Sequence, residues 1–338
     1  MNDRTATART EAGPATDGRQ THDRTDAVTR AFVRHRNLLF TVAYELLGSA
    51  ADAEDALQET WLRWVGVDPG TVRDPRAYLV RIATRQALSQ LRALGRRKES
   101  YVGPWLPEPL LTAPDVAEDV ELAESVSMAM MLVMETLAPT ERAVFVLREV
   151  FDLGYDEIAE AVGKSPAAVR QIAHRARAHV AARRPRGVAS AEDTRRTVEA
   201  FRRAVETGDL QRLLDTLAPD VVLLTDGGGV VRAALAPVVG AEQVARVLAR
   251  LAATATLRPA KINGAPALTV HLPGTDGTAR PADAVDTVLA LRVADGLVTG
   301  LYAVRNPEKL HHLHRETPLR RHADDEPSAH PAPTPAAP

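Results

Sequence analysis

The stretch Tyr155-Asp-Glu-Ile-Ala-Glu-Ala-Val-Gly-Lys-Ser-Pro-Ala-Ala-Val-Arg-Gln-Ile-Ala-His-Arg-Ala-Arg177 decides how the rest of the chain is read. Ile158 and Val162 lie four residues apart, so a short helix over 155–162 turns both inward. Gly163 follows at the position past a helix end where positive φ is often required. Ser165 is a capping residue type, and Pro166 suits the first turn of the next helix. Val169, Ile172, Ala173, Ala176 and Val180 recur at helical spacing and predict its buried face. Arg170, Gln171, His174, Arg175 and Arg177 fall on the other face. Upstream, Pro139 to Val150 reads as one helix with Val144, Leu147 and Val150 inward, and Gly154 breaks the chain after it. A short helix, a glycine turn and a basic helix is the layout of a helix-turn-helix. From Ser165 to Arg186 there are six arginines and no acid. Such a face neutralises phosphates, and Arg and Gln near its start carry the donors that read guanine and adenine edges. The expected duplex-reading residues are Ser165, Arg170, Gln171, His174, Arg175 and Arg177.

Residues 27–100 predict a second helical body. Val28, Phe32, Val33, Leu38, Leu39 and Val42 open an amphipathic helix, and Leu57, Trp61, Leu62 and Val65 mark another after Asp52. Asp68-Pro69-Gly70 ends it, and Asp74-Pro75 opens a third helix, expected to stop at Gly95. The middle helix is acidic, with Asp52, Glu54, Asp55 and Glu59. Acid repels DNA, so that helix belongs against a protein or solvent. From Arg73 to Lys98 there are eight basic residues and one acid, with Tyr78 among them. Basic groups track a nucleic-acid backbone and aromatics offer stacking faces for unpaired bases. Core packing is the expected role of Trp61 and Trp64.

Residues 101–118 read as a linker, with Pro104, Pro107, Pro109 and Pro114. The helix-turn-helix body spans 119–186. Residues 192–315 change character: helical patterns near 192–207 and 241–254 accompany strand-like runs at 221–225, 267–272, 285–293 and 297–304. Asp226-Gly-Gly-Gly229 and Asp295-Gly296 supply turn chemistry. Residues 1–26 and 316–338 are polar or Pro-rich and are expected to be disordered tails. The 338 residues are 45% hydrophobic and 25% charged, with a formal net charge of −2, so nucleic-acid affinity must come from local charge. Without cysteine there is no disulfide and no thiolate metal site. No signal peptide or membrane span is apparent, so a cytoplasmic location is expected. His311, His312 and His314 are expected to be surface histidines, and neither metal nor cofactor is expected.

An acidic helix, a basic aromatic helix, a Pro-rich linker and a basic helix-turn-helix resemble the σ2–σ4 order of extracytoplasmic-function sigma factors. Asp52-Ala-Glu-Asp-Ala-Leu-Gln-Glu-Thr-Trp-Leu-Arg-Trp64 is similar to the family's polymerase-binding helix. Arg73-Asp-Pro-Arg-Ala-Tyr-Leu-Val-Arg-Ile-Ala83, with Thr84 and Arg85, is similar to its promoter-melting helix. Leu137-Ala-Pro-Thr-Glu-Arg-Ala-Val-Phe-Val-Leu-Arg-Glu149 and Tyr155-Asp-Glu-Ile-Ala159 look like σ4. Trp105-Leu-Pro-Glu-Pro109, Asp226-Gly-Gly-Gly229 and Asn306-Pro-Glu-Lys-Leu310 resemble motifs of the subgroup with a SnoaL-like domain after σ4. There the glycine motif usually ends in lysine; here Val230, Val231 and Arg232 follow.

The resemblance implies two all-α sigma domains and a C-terminal α+β NTF2/SnoaL-like cone. It implies core RNA polymerase and promoter DNA as partners, and leaves a small-molecule ligand or an anti-sigma partner open. Asp52, Asp55, Gln58 and Glu59 would meet polymerase. Arg76, Tyr78, Arg81 and Arg85 would bind and melt the downstream element. Trp105, Leu106, Pro107, Glu108 and Pro109 would dock on the third domain or on σ2. Asp226, Gly227, Gly228, Gly229, Asn306, Pro307, Glu308, Lys309 and Leu310 would lie near the helical bodies. Asp226, Asp286 and His271 are the acid–base candidates of the cone; they form no paired constellation, and no catalysis is expected. Two other readings are a helix-turn-helix repressor with a ligand-sensing domain and a SnoaL-type enzyme with a DNA-binding appendage. Neither uses the acidic and basic helices of the first body.

Overall fold

Three helices build the N-terminal body: α1 (Asp17–Leu47), α2 (Ala50–Val65) and α3 (Pro75–Glu99). The computed structural model describes residues 17–113, 116, 119–183, 190–252, 255–272 and 284–322. Ser49 caps α2 by accepting from the Asp52 amide, and Asp74 caps α3 by accepting from the Ala77 amide. Three boundaries differ from expectation. Helix α2 opens at Ala50, with Asp52 inside its first turn and not before it, because Ser49 provides the cap. The first helix begins at Asp17, inside the segment expected to be a tail, because its polar N-terminal turns simply extend a helix that is anchored further along by Val28 and Phe32. Helix α3 runs through Gly95 to Glu99; one glycine in a long helix costs only about 1 kcal/mol and does not end it. Trp64 is fully buried, its indole donating to the Val28 carbonyl, and Trp61 packs edge-on against Phe32.

The second body comprises α4 (Val120–Ser125), α5 (Met128–Met134), α6 (Pro139–Phe145), a π turn over Val146–Val150, α7 (Tyr155–Val162) and α8 (Pro166–Arg183). The expected single helix over 139–150 therefore widens at Val146. Gly163 ends α7 at φ +67°, as a left-handed cap requires. The two bodies share one apolar core. Leu46, Leu47 and Leu94 of the first join Met131, Val144 and Leu147 of the second, with Leu110 of the linker between them.

The third body has α9 (Ala191–Thr207), α10 (Leu210–Thr216) and α11 (Ala241–Ala252). Among the described residues its strands are β1 (Leu217–Asp226), β2 (Val238–Val239), β3 (Thr256–Ile262), β4 (Ala265–His271), β5 (Thr287–Ala294) and β6 (Leu297–Val304). They form one sheet in the order β2-β1-β6-β5-β4-β3, with only β1 and β6 parallel. Helix α10 and strands β2 and β3 had no counterpart in the sequence reading. The sheet is covered on both faces. Leu289, Leu291 and Leu301 point to the helices with Val198, Phe201 and Val244, while Ala290, Tyr302 and Val304 point to Leu106 of the linker and Met128 of α5. Successive residues of β5 and β6 thus alternate between two buried faces.

The second expected tail is also corrected. Thr317 donates its amide to the Leu111 carbonyl, and Leu319 is wholly buried in the core shared by the two helical bodies. The Arg320 amide donates to Thr41 Oγ1 of α1, and Arg321 pairs with Asp119 (2.7 Å) and Glu121 beside α4. One leucine anchors this strap and two arginines finish it, a signal too short to stand out in a polar, Pro-rich segment. Among the described residues, no helix is long and apolar enough to cross a membrane, and no group of three His, Cys, Asp or Glu is placed to hold a metal.

Candidate nucleic-acid and polymerase surfaces and the latch between domains

Ser165, just before α8, and Arg170, Gln171, His174, Arg175 and Arg177 on it face solvent, while Val169, Ala173, Ala176 and Val180 are buried. Ser165 accepts from the Ala168 amide at 3.3 Å. Arg177 turns back to Glu149 (2.9 Å) and to the Tyr155 hydroxyl, and Arg175 reaches toward Glu141 at 3.7 Å. Arg170 lies over the Tyr155 ring. On α2, Asp55, Gln58 and Glu59 are exposed and Asp52 is half-buried. Exposed Leu62 and Val65 lie on the same helix.

Tyr78, Arg81 and Arg85 line one crevice of about 200 Å³ with Arg63, Ile82 and Gln86; Arg76 is not part of it. Arg81 lies over the Tyr78 ring at 4.8 Å. It also pairs with Glu160 at 2.8 Å, and Arg85 donates to the Glu160 carbonyl at 2.6 Å and to the Ala161 carbonyl at 3.4 Å. Glu160 and Ala161 are in the last turn of α7, whose free carbonyls attract cations. Two of the three arginines expected on single-stranded DNA, Arg81 and Arg85, are thus engaged by the helix-turn-helix. Sequence alone offered no sign of this, because the partners are far apart in the chain.

The three short motifs meet around one carboxylate. Asp226 ends β1 and is fully buried. Its Oδ1 accepts from the Tyr101 hydroxyl (2.5 Å) and the Gly228 amide (3.1 Å), and its Oδ2 from the Leu106 amide (2.9 Å) and Lys309 Nζ (2.8 Å). Lys309 Nζ also donates to the Leu106 carbonyl at 2.6 Å and lies 3.4 Å from the centre of the Trp105 ring. Burial pushes the ammonium below its ordinary range, while Asp226 opposes that shift. Asn306 caps the turn that carries Lys309 by accepting from the Glu308 amide, and its Nδ2 donates to the Tyr101 hydroxyl. Gly228, at φ +64°, touches Asn306: an added Cβ would lie 2.4 Å from its Nδ2. That contact explains the glycine, beyond the turn chemistry that suggested it.

Two further junctions extend this latch. Glu108 is buried and caps α2 from the linker: Oε1 accepts from Ser49 Oγ (2.9 Å) and Oε2 from the Ala50 amide (2.6 Å). Burial raises its carboxyl, against these donors. Pro107 and Pro109 flank it, also buried, and Leu310 packs with Leu106. Asn263, at φ +52° in the β3–β4 hairpin, was not singled out in the sequence. Its Nδ2 donates to the Tyr44 hydroxyl (2.6 Å) and the Val126 carbonyl (2.8 Å), and its Oδ1 accepts from the Leu110 amide (2.8 Å). One side chain therefore joins α1, the linker and the C-cap of α4. The Asn263-Gly264 pair is a strong hairpin signal and was available to find it.

Beneath these contacts lies a buried polar seam. Arg142, 1% exposed, donates to the Glu45 carbonyl (3.0 Å) and to Glu135 (2.7 Å), which also pairs with Lys98. Glu45 accepts from Ser125 Oγ (2.8 Å), and burial pushes its carboxyl up to about 8. The other acid–base candidates are held elsewhere. Asp286 pairs with Arg305 (3.1 Å), and the His271 ring bonds the Ala284 carbonyl and Thr269. Asp226 serves the latch.

A sigma-70 region 2 profile matches residues 31–97 and a sigma-70 region 4 profile matches 127–180. The chain is 37% identical over 286 residues to the ECF RNA polymerase sigma factor SigJ of Mycobacterium tuberculosis, covering 81% of this chain and 90% of that one. A probable ECF RNA polymerase sigma factor of the same organism, SigI, is 31% identical over 86% of this chain and 97% of its own. The crystal structure of M. tuberculosis SigJ superposes with a TM-score of 0.66 at 34% identity, covering 85% of this chain and 99% of that one. That coverage takes in both helical bodies and the α+β body. The chain belongs to the extracytoplasmic-function RNA polymerase sigma factors, in the subgroup that carries a SnoaL-like domain after region 4.

Proposed function

We propose that this sigma factor, which partners core RNA polymerase and promoter DNA to start transcription, is held by its own SnoaL-like domain in a closed resting arrangement. The observation that carries this reading is the use of Arg81 and Arg85, on the helix that resembles the promoter-melting helix, to hold α7 of the helix-turn-helix. While clasped, these groups are not free for unpaired DNA. The latch at Asp226 and the Asn263 junction fix the linker and both sigma domains to one sheet, so the third domain favours one arrangement of σ2 and σ4. A ligand or partner shifts such an equilibrium only by preferring one arrangement. Docking on polymerase through Asp55, Gln58 and Glu59 leaves these contacts in place at first, since those side chains face solvent. Opening then frees Arg81, Arg85 and Tyr78 for the downstream element, and Arg170, Gln171 and His174 for the upstream one. The third domain acts as a regulatory body and not as an enzyme: the acid–base candidates Asp226 and Asp286 are committed to ion pairs.

Run-off transcription with purified core polymerase tests this. Truncation before Asn306 removes Lys309 and the Thr317–Arg321 strap while leaving strands β1 to β6. The expected result is a higher yield of promoter-dependent transcript than from the full chain. An unchanged or lower yield, with residues 27–182 still folded, contradicts the reading.

A further inference from the structure

An open groove of about 680 Å³ runs between α9 and the β3–β4 hairpin of the third domain. Its apolar surface is Ala200, Pro259, Ala260 and Pro266, backed by the buried Val198, Ala267 and Leu268. Its rim is cationic: Arg195, Arg196, Arg203 and Lys261 face a single acid of the lining, Glu199. The three arginines also pair with Glu192, Asp193 and Glu199 along their own helix. These are exposed pairs, which exchange at little cost when another anion arrives. An apolar trough with a few charged groups at its edge is how proteins hold small amphipathic molecules. Neither Asp226, Asp286 nor His271 lines it.

We propose that this groove binds a small amphipathic organic anion, an apolar body with one carboxylate, sulfonate or phosphate head. The body lies along Ala200, Pro259, Ala260 and Pro266, and the head sits among Arg195, Arg196 and Arg203. The position of Lys261 gives the site a route to the rest of the molecule. Its side of the hairpin walls the groove, and its carbonyl accepts from the Thr112 amide of the linker at 3.0 Å. Two residues on, Asn263 bonds α1, the linker and the C-cap of α4. A ligand that spreads α9 from β3 therefore strains the junction holding the sigma domains together. This coupling rests on the resting-state reading above; the binding site does not.

The test uses the full chain and 8-anilinonaphthalene-1-sulfonate as the probe, with decanoate as competitor. Saturable probe fluorescence at one site is expected, displaced by decanoate but not by decyltrimethylammonium. Ala200→Trp, on the exposed wall of the groove, should abolish it. The triple Arg195→Gln, Arg196→Gln, Arg203→Gln variant should weaken it at least tenfold. Each variant is checked by its thermal melt. Probe binding that is insensitive to both variants, or equal displacement by the cation, overturns the site. In a separate arm, decanoate is added to run-off transcription with the full chain and with Ala200→Trp. A response in the first that is absent in the second supports the coupling. Binding without any transcriptional response overturns the coupling and leaves the site standing.

Discussion

The contacts at Asp226 and at Glu160 both tie separate parts of this molecule together, and they are built from opposite materials. At Asp226, carboxylate and ammonium are almost wholly buried, and four donors converge on the two carboxylate oxygens. At Glu160, the carboxylate is two-thirds exposed and its arginine partner is about a third exposed. Breaking a buried pair by removing one partner leaves an uncompensated charge and costs about 3–5 kcal/mol, whereas an exposed pair is worth about 0–1 kcal/mol. The latch is therefore the stronger of the two contacts. Under the closed-state proposal, the third domain stays on the linker while the helix-turn-helix leaves α3, a step that also uncovers part of the core shared by the two helical bodies.

The largest effect is expected from Lys309→Met. It strands Asp226 beside Trp105 and should lower unfolding stability by about 3–5 kcal/mol, read by chemical denaturation. Amide exchange should rise at Tyr101 to Leu110 first. A loss below 1 kcal/mol means that the two contacts do not differ as argued. Glu45→Gln sharpens the account of the buried seam. The folded-state carboxyl sits near 8, above its ordinary value, so its favourable contribution is complete below about pH 4.5 and is lost as pH rises through 8. At about 1.4 kcal/mol per pKa unit, wild type should lose up to about 3 kcal/mol between pH 6 and pH 9 through this group. The Gln variant should not show that loss; parallel pH profiles for the two proteins would sink the assignment.

Asn263→Gly keeps a residue that tolerates the positive φ and deletes only the side-chain bonds to Tyr44, Val126 and Leu110. About 1–3 kcal/mol is expected to be lost, through the unpaired buried groups left behind. Asn263→Ala should be worse, since it adds backbone strain. The smallest stability change is expected from Glu160→Lys, at about 1 kcal/mol or less and shrinking with salt. Its functional effect should be the clearest all the same, as more promoter-dependent transcript from the full chain. A Glu160→Lys protein with wild-type transcript yield places the restraint somewhere other than the clasp.

The local chemistry of the fold was legible where the signal was local. The Gly163 cap, the Asp74-Pro75 start and the alternation in β6 each depend on a few adjacent residues, and each was read. The three short motifs were assigned to domain contacts by family resemblance, and the geometry supplies the physics the resemblance lacked: Lys309 and Asp226 are 83 residues apart and meet only in the folded chain. Glu108 reads as an ordinary acid among prolines until Ser49 and Ala50 are placed beside it. The strap at Thr317 to Arg321 was hidden by composition, since its single buried leucine sits in a polar, Pro-rich segment. Arg81 and Arg85 show the limit most clearly. Their charge announced an anionic partner, and nothing in their neighbours said that α7 contacts them.

The most direct test of the closed resting state exploits the absence of native cysteine. Ser89→Cys on α3 and Ala178→Cys on α8, both exposed, carry spin labels for distance measurement by pulsed electron resonance. The free full chain should give one short, narrow distance. Addition of core polymerase and promoter DNA should replace it with a longer one, and Glu160→Lys should populate the longer distance before either is added. A free chain that already shows the long distance, or a distance that polymerase and promoter leave unchanged, contradicts the account.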